Sequence, residues 1–151
     1  MKIAFLDRDG TLIYEPPDGL VRPEDFRMLP GVIDGLKKLR KDGFTIVMIT
    51  NQDFNKMRAE EYFGKTQDML IATLEEEGVA FDHIFMCPHA EYENCACRKP
   101  RTGMVDEFLK MNVIDRSQSF VCGDRLKNDG GLATNLGVRY VAMASNGQFP
   151  L

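Results

Sequence analysis

Short apolar runs alternate with stretches of helical spacing along the chain. Ile3-Ala4-Phe5-Leu6 is an unbroken apolar run of strand length. Val32, Ile33, Leu36 and Leu39 recur at helical intervals, basic residues crowd the end of that segment and Gly43 follows it, so a helix is expected over 31–42. A second buried strand, rich in β-branched residues, is expected over 44–49 and leads into Thr50-Asn51-Gln52-Asp53. A long helix is expected over 57–77, with Phe63, Leu70, Ile71 and Leu74 on one face, Gly64 as its weak point and Gly78 as its stop. A third strand over 81–86 runs into an irregular segment, 87–100. Thr102 is placed to cap a helix reaching about Met111, buried through Val105, Phe108 and Leu109. A fourth strand over 119–122, a short helix opening at Asn128 or Asp129 and stopped by Gly137, and a fifth strand over 138–143 complete the pattern.

Such alternation implies right-handed crossovers and a parallel sheet with helices on both faces, a Rossmann-like three-layer α/β sandwich. Sheets of this type bind ligands beyond the carboxyl ends of their strands. Asp7 and Asp9, Thr50, the 87–100 segment and Asp124 all follow directly on a strand end. The 14–19 stretch, Tyr-Glu-Pro-Pro-Asp-Gly, is a loop leaving the acidic pair, and is expected to wall the same pocket.

At 151 residues, a single domain over 1–151 is expected. The composition, 44% apolar and 28% charged, is that of a globular protein. No apolar run approaches the roughly eighteen residues a membrane span needs. The N-terminus enters the first strand without a basic leader, so a cytoplasmic protein is expected. The net charge of −4 comes with no cluster of Lys and Arg, which argues against a nucleic-acid partner. A small phosphorylated partner is not excluded by an acidic total, since anion binding is decided locally. A monomer or weak homo-oligomer is expected.

The chemistry concentrates first at Asp7-Arg8-Asp9-Gly10-Thr11-Leu12. Alternate side chains of an extended segment share a face, so Asp7 and Asp9 can line one pocket. Two such carboxylates repel unless a cation lies between them or one is protonated. Alone, an Asp-x-Asp is more often a strand followed by a solvated turn. The wider string resembles the D-x-D-G-T motif of the haloacid-dehalogenase superfamily of phosphotransferases. Its other three motifs have counterparts in order: Thr50-Asn51-Gln52, Arg98-Lys99-Pro100 and Gly123-Asp124-Arg125. The resemblance implies Asp7 as nucleophile and Asp9 as general acid and base. It implies a Mg²⁺ held by the Asp7 carboxylate, the Asp9 carbonyl and the Asp124 carboxylate. It also implies that Thr50, Asn51, Arg98 and Lys99 hold the phosphoryl oxygens. The 126–131 stretch carries one residue more than the relatives' spacing, which leaves the register of Asp129, a candidate partner of the metal site, open. The loop after Asp53 also lacks the glycines that relatives have there.

Three of the four cysteines lie in the irregular segment, as Cys87-Pro88-His89 and Cys95-Ala96-Cys97. Three thiolates and an imidazole suit a closed tetrahedral Zn²⁺ site. Cys95 and Cys97 are too close in sequence to bridge each other well, and buried free thiols are the alternative. Cys122, inside an apolar strand, fits that alternative and is left out of the cluster. Cys-Pro-His followed by Cys-x-Cys-Arg-Lys-Pro resembles the zinc loop of the subgroup that contains histidinol-phosphate and heptose-1,7-bisphosphate phosphatases. The resemblance implies a structural zinc that stiffens the loop and delivers Arg98 and Lys99, and no stretch of the chain is long enough for a separate cap domain.

Asp-Gly-Thr-Leu-Ile-Tyr-Glu-Pro-Pro, Thr-Asn-Gln-Asp and Gly-Asp-Arg, with the short interval from His89 to Cys95, resemble the histidinol-phosphate branch, which serves histidine biosynthesis. On that resemblance Glu15 would read the positive charge of an aminated substrate. The heptose branch or another sugar-phosphate hydrolase is the enzymatic alternative. A receiver-like phospho-acceptor domain also sets Asp, Thr and Lys around Mg²⁺, but places its acceptor after the third strand, where this chain has its cysteines. A zinc-organised binding module leaves the acidic set unexplained.

Overall fold

The computed structural model describes residues 1–151. Five strands form one parallel sheet: β1 (Ile3–Leu6), β2 (Thr45–Asn51), β3 (His83–Cys87), β4 (Phe120–Gly123) and β5 (Arg139–Ala142), in the order β3-β2-β1-β4-β5. β1 is central because every one of its residues is apolar, and all four are fully buried. Its pleat sorts the core into two layers. Ala4 and Leu6 pack with Leu36 and Leu39 of α1 (Val32–Lys41) and with Leu70 and Leu74 of α2 (Ala59–Glu76). Ile3 and Phe5 pack with Val105, with Phe108 and Leu109 of α3 (Asp106–Met111), and with Leu132 and Leu136 of α4 (Gly131–Leu136). The result is the three-layer arrangement expected from the alternation, and no helix is long and apolar enough to cross a membrane.

Element bounds differ from expectation where tertiary contacts intervene. β2 runs two residues past Ile49, because β3 pairs with it as far as Asn51 opposite Cys87. α2 starts at Ala59, not at 57, since Arg58 adopts a left-handed conformation (φ 63°) just before it. Thr102 does not cap α3. Only its carbonyl accepts, from the Val105 amide, and α3 begins at Asp106 after a separate turn. The 126–131 stretch, expected to carry an added residue, forms a π-helical turn, Leu126–Gly130, ahead of α4. A π turn absorbs one added residue without unwinding the helix that follows. It leaves Asp129 pointing inward, 1% exposed.

Candidate active site and metal centre

The carboxyl ends of β1, β2 and β4 converge on one buried lysine. Lys99 Nζ donates to Asp7 Oδ1 at 2.8 Å, to Asp129 Oδ1 at 2.8 Å and to the Ile49 carbonyl at 2.9 Å. Asp7 follows β1 directly, and its amide donates to the Cys122 carbonyl as a last rung between β1 and β4. Its other oxygen, Oδ2, accepts from Thr11 Oγ1 at 3.1 Å. Gly10 turns the chain at φ +80°, and a Cβ there would run into the Asp124 carboxylate. At Gly123 a Cβ would collide with the Asp129 carboxylate. Both glycines are therefore required by the closeness of the acidic groups, not by the turn alone.

The electrostatics show an excess of negative charge. Oxygens of Asp7, Asp124 and Asp129 lie within 4.8 Å of one another, and Lys99 supplies the one cation among them, which leaves two negative charges unbalanced. Burial and the Asp7 charge push the Asp124 carboxyl up to about 6. The same two causes push Asp129 up to about 6, outweighing the help of Lys99. Lys99 is raised despite its burial, because Asp7 and Asp129 flank its ammonium. Asp124 Oδ1 is buried and has no hydrogen-bond partner, while Oδ2 accepts from Ser145 Oγ. The Asp9 carbonyl accepts no hydrogen bond within the chain. Orphaned hard oxygens beside surplus negative charge are the donor set a small divalent cation needs.

Asp9 is held at both oxygens. Arg8 Nε donates to Oδ1 at 2.7 Å and Gln52 Nε2 to Oδ2 at 2.9 Å. Gln52 also donates to Thr50 Oγ1 at 2.9 Å, which leaves the Thr50 hydroxyl hydrogen free to donate. Asn51 Oδ1 and Nδ2 bond the main-chain amide and carbonyl of Lys99, at 2.8 and 3.1 Å. Arg98 Nη1 donates to the carbonyls of Gln52 and His89, both at 2.7 Å. A cleft at this site is lined by Asp7, Asp9, Lys99 and Asp129, and also by Asp53, Lys56, Glu15 and Arg125. Burial raises the Glu15 carboxyl, opposed by Arg125, whose Nη2 donates to both Glu15 oxygens at 3.1 and 3.3 Å.

Cys87, His89, Cys95 and Cys97 close into a second cluster. Cys87 Sγ lies 3.1 Å from Cys97 Sγ and 3.6 Å from Cys95 Sγ, and His89 Nδ1 lies 3.2 Å from Cys97 Sγ. Four donors around a tetrahedral metal at about 2.3 Å would stand roughly 3.3–3.8 Å apart, so the cluster could hold one ion. Burial and the adjacent Cys97 thiol drive Cys87 up to about 12. At Cys95, hydrogen bonds from the Arg98 amide and the neighbouring thiols outweigh burial and bring the thiol down to about 6. Cys122 stays apart, buried in β4 and pushed up to about 12 by burial and by Asp7.

The sequence-derived residues thus fall into four groups, one of them the cysteine and histidine cluster. Asp7, Lys99 and Asp124 gather with Asp129, and Asp9 and Thr50, joined through Gln52, line up beside them. Asn51 and Arg98, expected at the phosphate, have the polar atoms just named committed to main-chain groups of the two loops. Glu15 faces the cleft, but paired with Arg125. Sequence reasoning passed over Arg8 and Gln52, and left Asp129 open. An arginine between two aspartates was the available signal for the first of these.

The family described as polynucleotide kinase 3 phosphatase matches residues 2–142. The chain belongs to this family. The chain is thereby placed in the haloacid-dehalogenase superfamily, as its motifs imply. The chain is 46% identical over 142 residues to the histidine biosynthesis bifunctional protein HisB of Campylobacter jejuni subsp. doylei, covering 91% of this chain and 40% of that protein. It is 41% identical over 146 residues to the HisB protein of Legionella pneumophila, covering 95% and 41%. The chain therefore spans about two fifths of the length of these relatives. Among solved structures, D,D-heptose 1,7-bisphosphate phosphatase from B. bronchiseptica, complexed with magnesium and phosphate, superposes with a TM-score of 0.84 at 29% identity, over 97% of this chain and 83% of that one.

Proposed function

We propose that the protein is a phosphomonoester hydrolase that works through a phosphorylated Asp7, with histidinol phosphate as its substrate. The observation that carries the hydrolase reading is the Asp7–Lys99–Asp129 cluster beside the orphaned Asp124 oxygen, at the floor of a cleft. Mg²⁺ fits the Asp7 carboxylate, the Asp9 carbonyl and the Asp124 carboxylate; when bound there it neutralises charge between two anions that must approach each other. Asp7 attacks phosphorus as the bond to the leaving oxygen breaks. Asp9 gives its proton to that oxygen. Asp9 then takes a proton from water, whose oxygen displaces Asp7 and regenerates it. Lys99 and the Thr50 hydroxyl face the phosphoryl oxygens. Asn51 and Arg98 serve by fixing the segment that carries Lys99. The kinship to HisB proteins supports the substrate, and so does Glu15, a carboxylate lining the same cleft as Asp7 and Asp9. The kinship to a heptose bisphosphate hydrolase supports the alternative substrate, with Lys56 and Arg125 as cations on the cleft wall.

A panel of phosphomonoesters assayed for phosphate release with Mg²⁺ separates these. Histidinol phosphate is expected to give the highest kcat/KM, and a heptose bisphosphate exceeding it would reverse the assignment. Glu15→Gln is expected to lower kcat/KM for histidinol phosphate by about ten- to a hundred-fold more than for an uncharged aryl phosphate, the scale of a lost charged contact. Equal losses on both substrates would show that Glu15 serves only to hold Arg125.

The cysteine cluster is proposed to hold a structural Zn²⁺ through Cys87, His89, Cys95 and Cys97. Three soft thiol donors and one imidazole favour zinc over harder cations. Cys97→Ser is expected to lower bound zinc from about one per chain to a small fraction. It is expected to cut activity about tenfold or more by loosening the Lys99 segment, while far-ultraviolet circular dichroism keeps the native helix signal. Full activity in a preparation shown to be zinc-free would contradict the assignment.

A further inference from the structure

Arg8 is the largest fully buried side chain in the protein, and its charge has one anionic partner. Burying a guanidinium is costly unless its donors are met. Here the ring of Phe63 lies 4.5 Å under the guanidinium, Nη1 bonds Thr66 Oγ1 and Gln67 Oε1 of α2, and Nε is left aimed at Asp9 Oδ1, at 2.7 Å. Thr66 and Gln67 do not depend on Arg8. Thr66 Oγ1 already donates to the Tyr62 carbonyl, and Gln67 Nε2 to Met48 sulfur. From the other side Gln52, anchored to β3 by its amide bonding the Cys87 carbonyl at 2.7 Å, donates to Asp9 Oδ2. The carboxylate plane is thus fixed by two donors from different elements, at the tip of a turn that would otherwise leave its rotamer free.

We infer that Arg8 and Gln52 are positioning residues for proton transfer by Asp9, clamping its carboxyl group in the orientation that reaches the leaving oxygen. The inference rests on the hydrolase reading above. Each Asp9 oxygen spends one lone pair on its donor and keeps a second for the proton it carries. As the Asp7–phosphorus bond forms and the phosphorus–oxygen bond breaks, that proton passes to the leaving oxygen, so an alkoxide is never released. A misplaced carboxyl would forfeit this transfer while leaving the attack of Asp7 intact.

The dependence on leaving group separates positioning from a structural role. An alkoxide needs the proton, whereas p-nitrophenolate leaves well without it. Arg8→Met keeps the bulk over Phe63, and Gln52→Leu removes the opposite donor without creating a buried charge. For each variant, kcat/KM is expected to fall at least about tenfold more with histidinol phosphate or a simple alkyl phosphate than with p-nitrophenyl phosphate, as for partial loss of a general acid. Arg8→Lys is expected to recover part of the loss. In an Asp9→Asn background, Arg8→Met should cause no further discrimination between the substrates. Should Arg8→Met fail to fold, Gln52→Leu carries the test alone. Equal losses with both substrates, no loss with either, or undiminished discrimination in the Asp9→Asn background would overturn the inference. A native protein that hydrolyses neither ester would instead defeat the hydrolase reading, and this inference with it.

Discussion

Asp7→Asn is expected to abolish turnover, by about 10⁴-fold or more, with the fold retained. The amide keeps the size of the carboxylate; its oxygen can still accept from Lys99, which bonds native Oδ1 at 2.8 Å, and its NH2 can donate to the Thr11 hydroxyl, which bonds native Oδ2 at 3.1 Å. It removes one negative charge from a cluster in which Asp124 and Asp129 are already pushed upward by Asp7. Thermal stability should therefore change little, and the Asp124 carboxyl should titrate lower than in the native protein. Enzyme assays together with thermal unfolding of the purified variant check both halves. Native-like turnover, with deamidation excluded by mass spectrometry, would remove Asp7 from the reaction.

Lys99→Met is expected to damage both catalysis and the fold. The ammonium is the one cation among three carboxylates and is 3% exposed at the residue level, so its loss leaves like charges facing each other in a buried space. Removing one partner of a buried ion pair typically costs about 3–5 kcal/mol. Part of that cost is expected to vanish as the pH falls toward 5. Asp124 and Asp129 already titrate near 6 in the folded protein, above the ordinary carboxylate value, so the folded state binds protons more tightly than the unfolded chain. Folded stability then drops as pH rises through that range, and without Lys99 the drop should be steeper. Urea unfolding of the metal-free variant at pH 5 and pH 7.5 measures this. A variant whose deficit is equal at the two values would mean that Lys99 stabilises by packing and not by charge.

Local pattern was enough to find the strands, and resemblance to find the four short motifs and the cysteine and histidine residues that cluster, because each rests on residues close together in sequence. What the pattern could not supply was partnership across the sheet. Lys99 stands before a proline in a loop, where a lysine is usually solvated, and the Asn51 side chain, bonded to the Lys99 main chain, fixes the segment from which its ammonium reaches Asp7. Resemblance assigns Asn51 and Arg98 to phosphate, and it does not display that Asn51 bonds the Lys99 main chain 48 residues away, or that Arg98 Nη1 bonds the carbonyls of Gln52 and His89, 46 and 9 residues away. Glu15 is expected to read the positive charge of the substrate, and its pairing with Arg125, 110 residues on, is not visible in the sequence. Thr102 had the residue type of a helix cap, but a turn through Val105 intervened before α3. The register of Asp129 depended on how one added residue would be absorbed, and the π turn at Leu126–Gly130 settles it in three dimensions.

The central claim is that a phosphoryl group passes through Asp7. Rapid mixing with histidinol phosphate and Mg²⁺, an acid quench within the first turnover and peptide mass spectrometry test it most directly. The account predicts one added phosphoryl group on the peptide carrying Asp7, labile to hydroxylamine and missing in Asp7→Asn. Steady phosphate release with an unmodified Asp7 peptide at every quench time, or a phosphoryl group on another side chain, would contradict it.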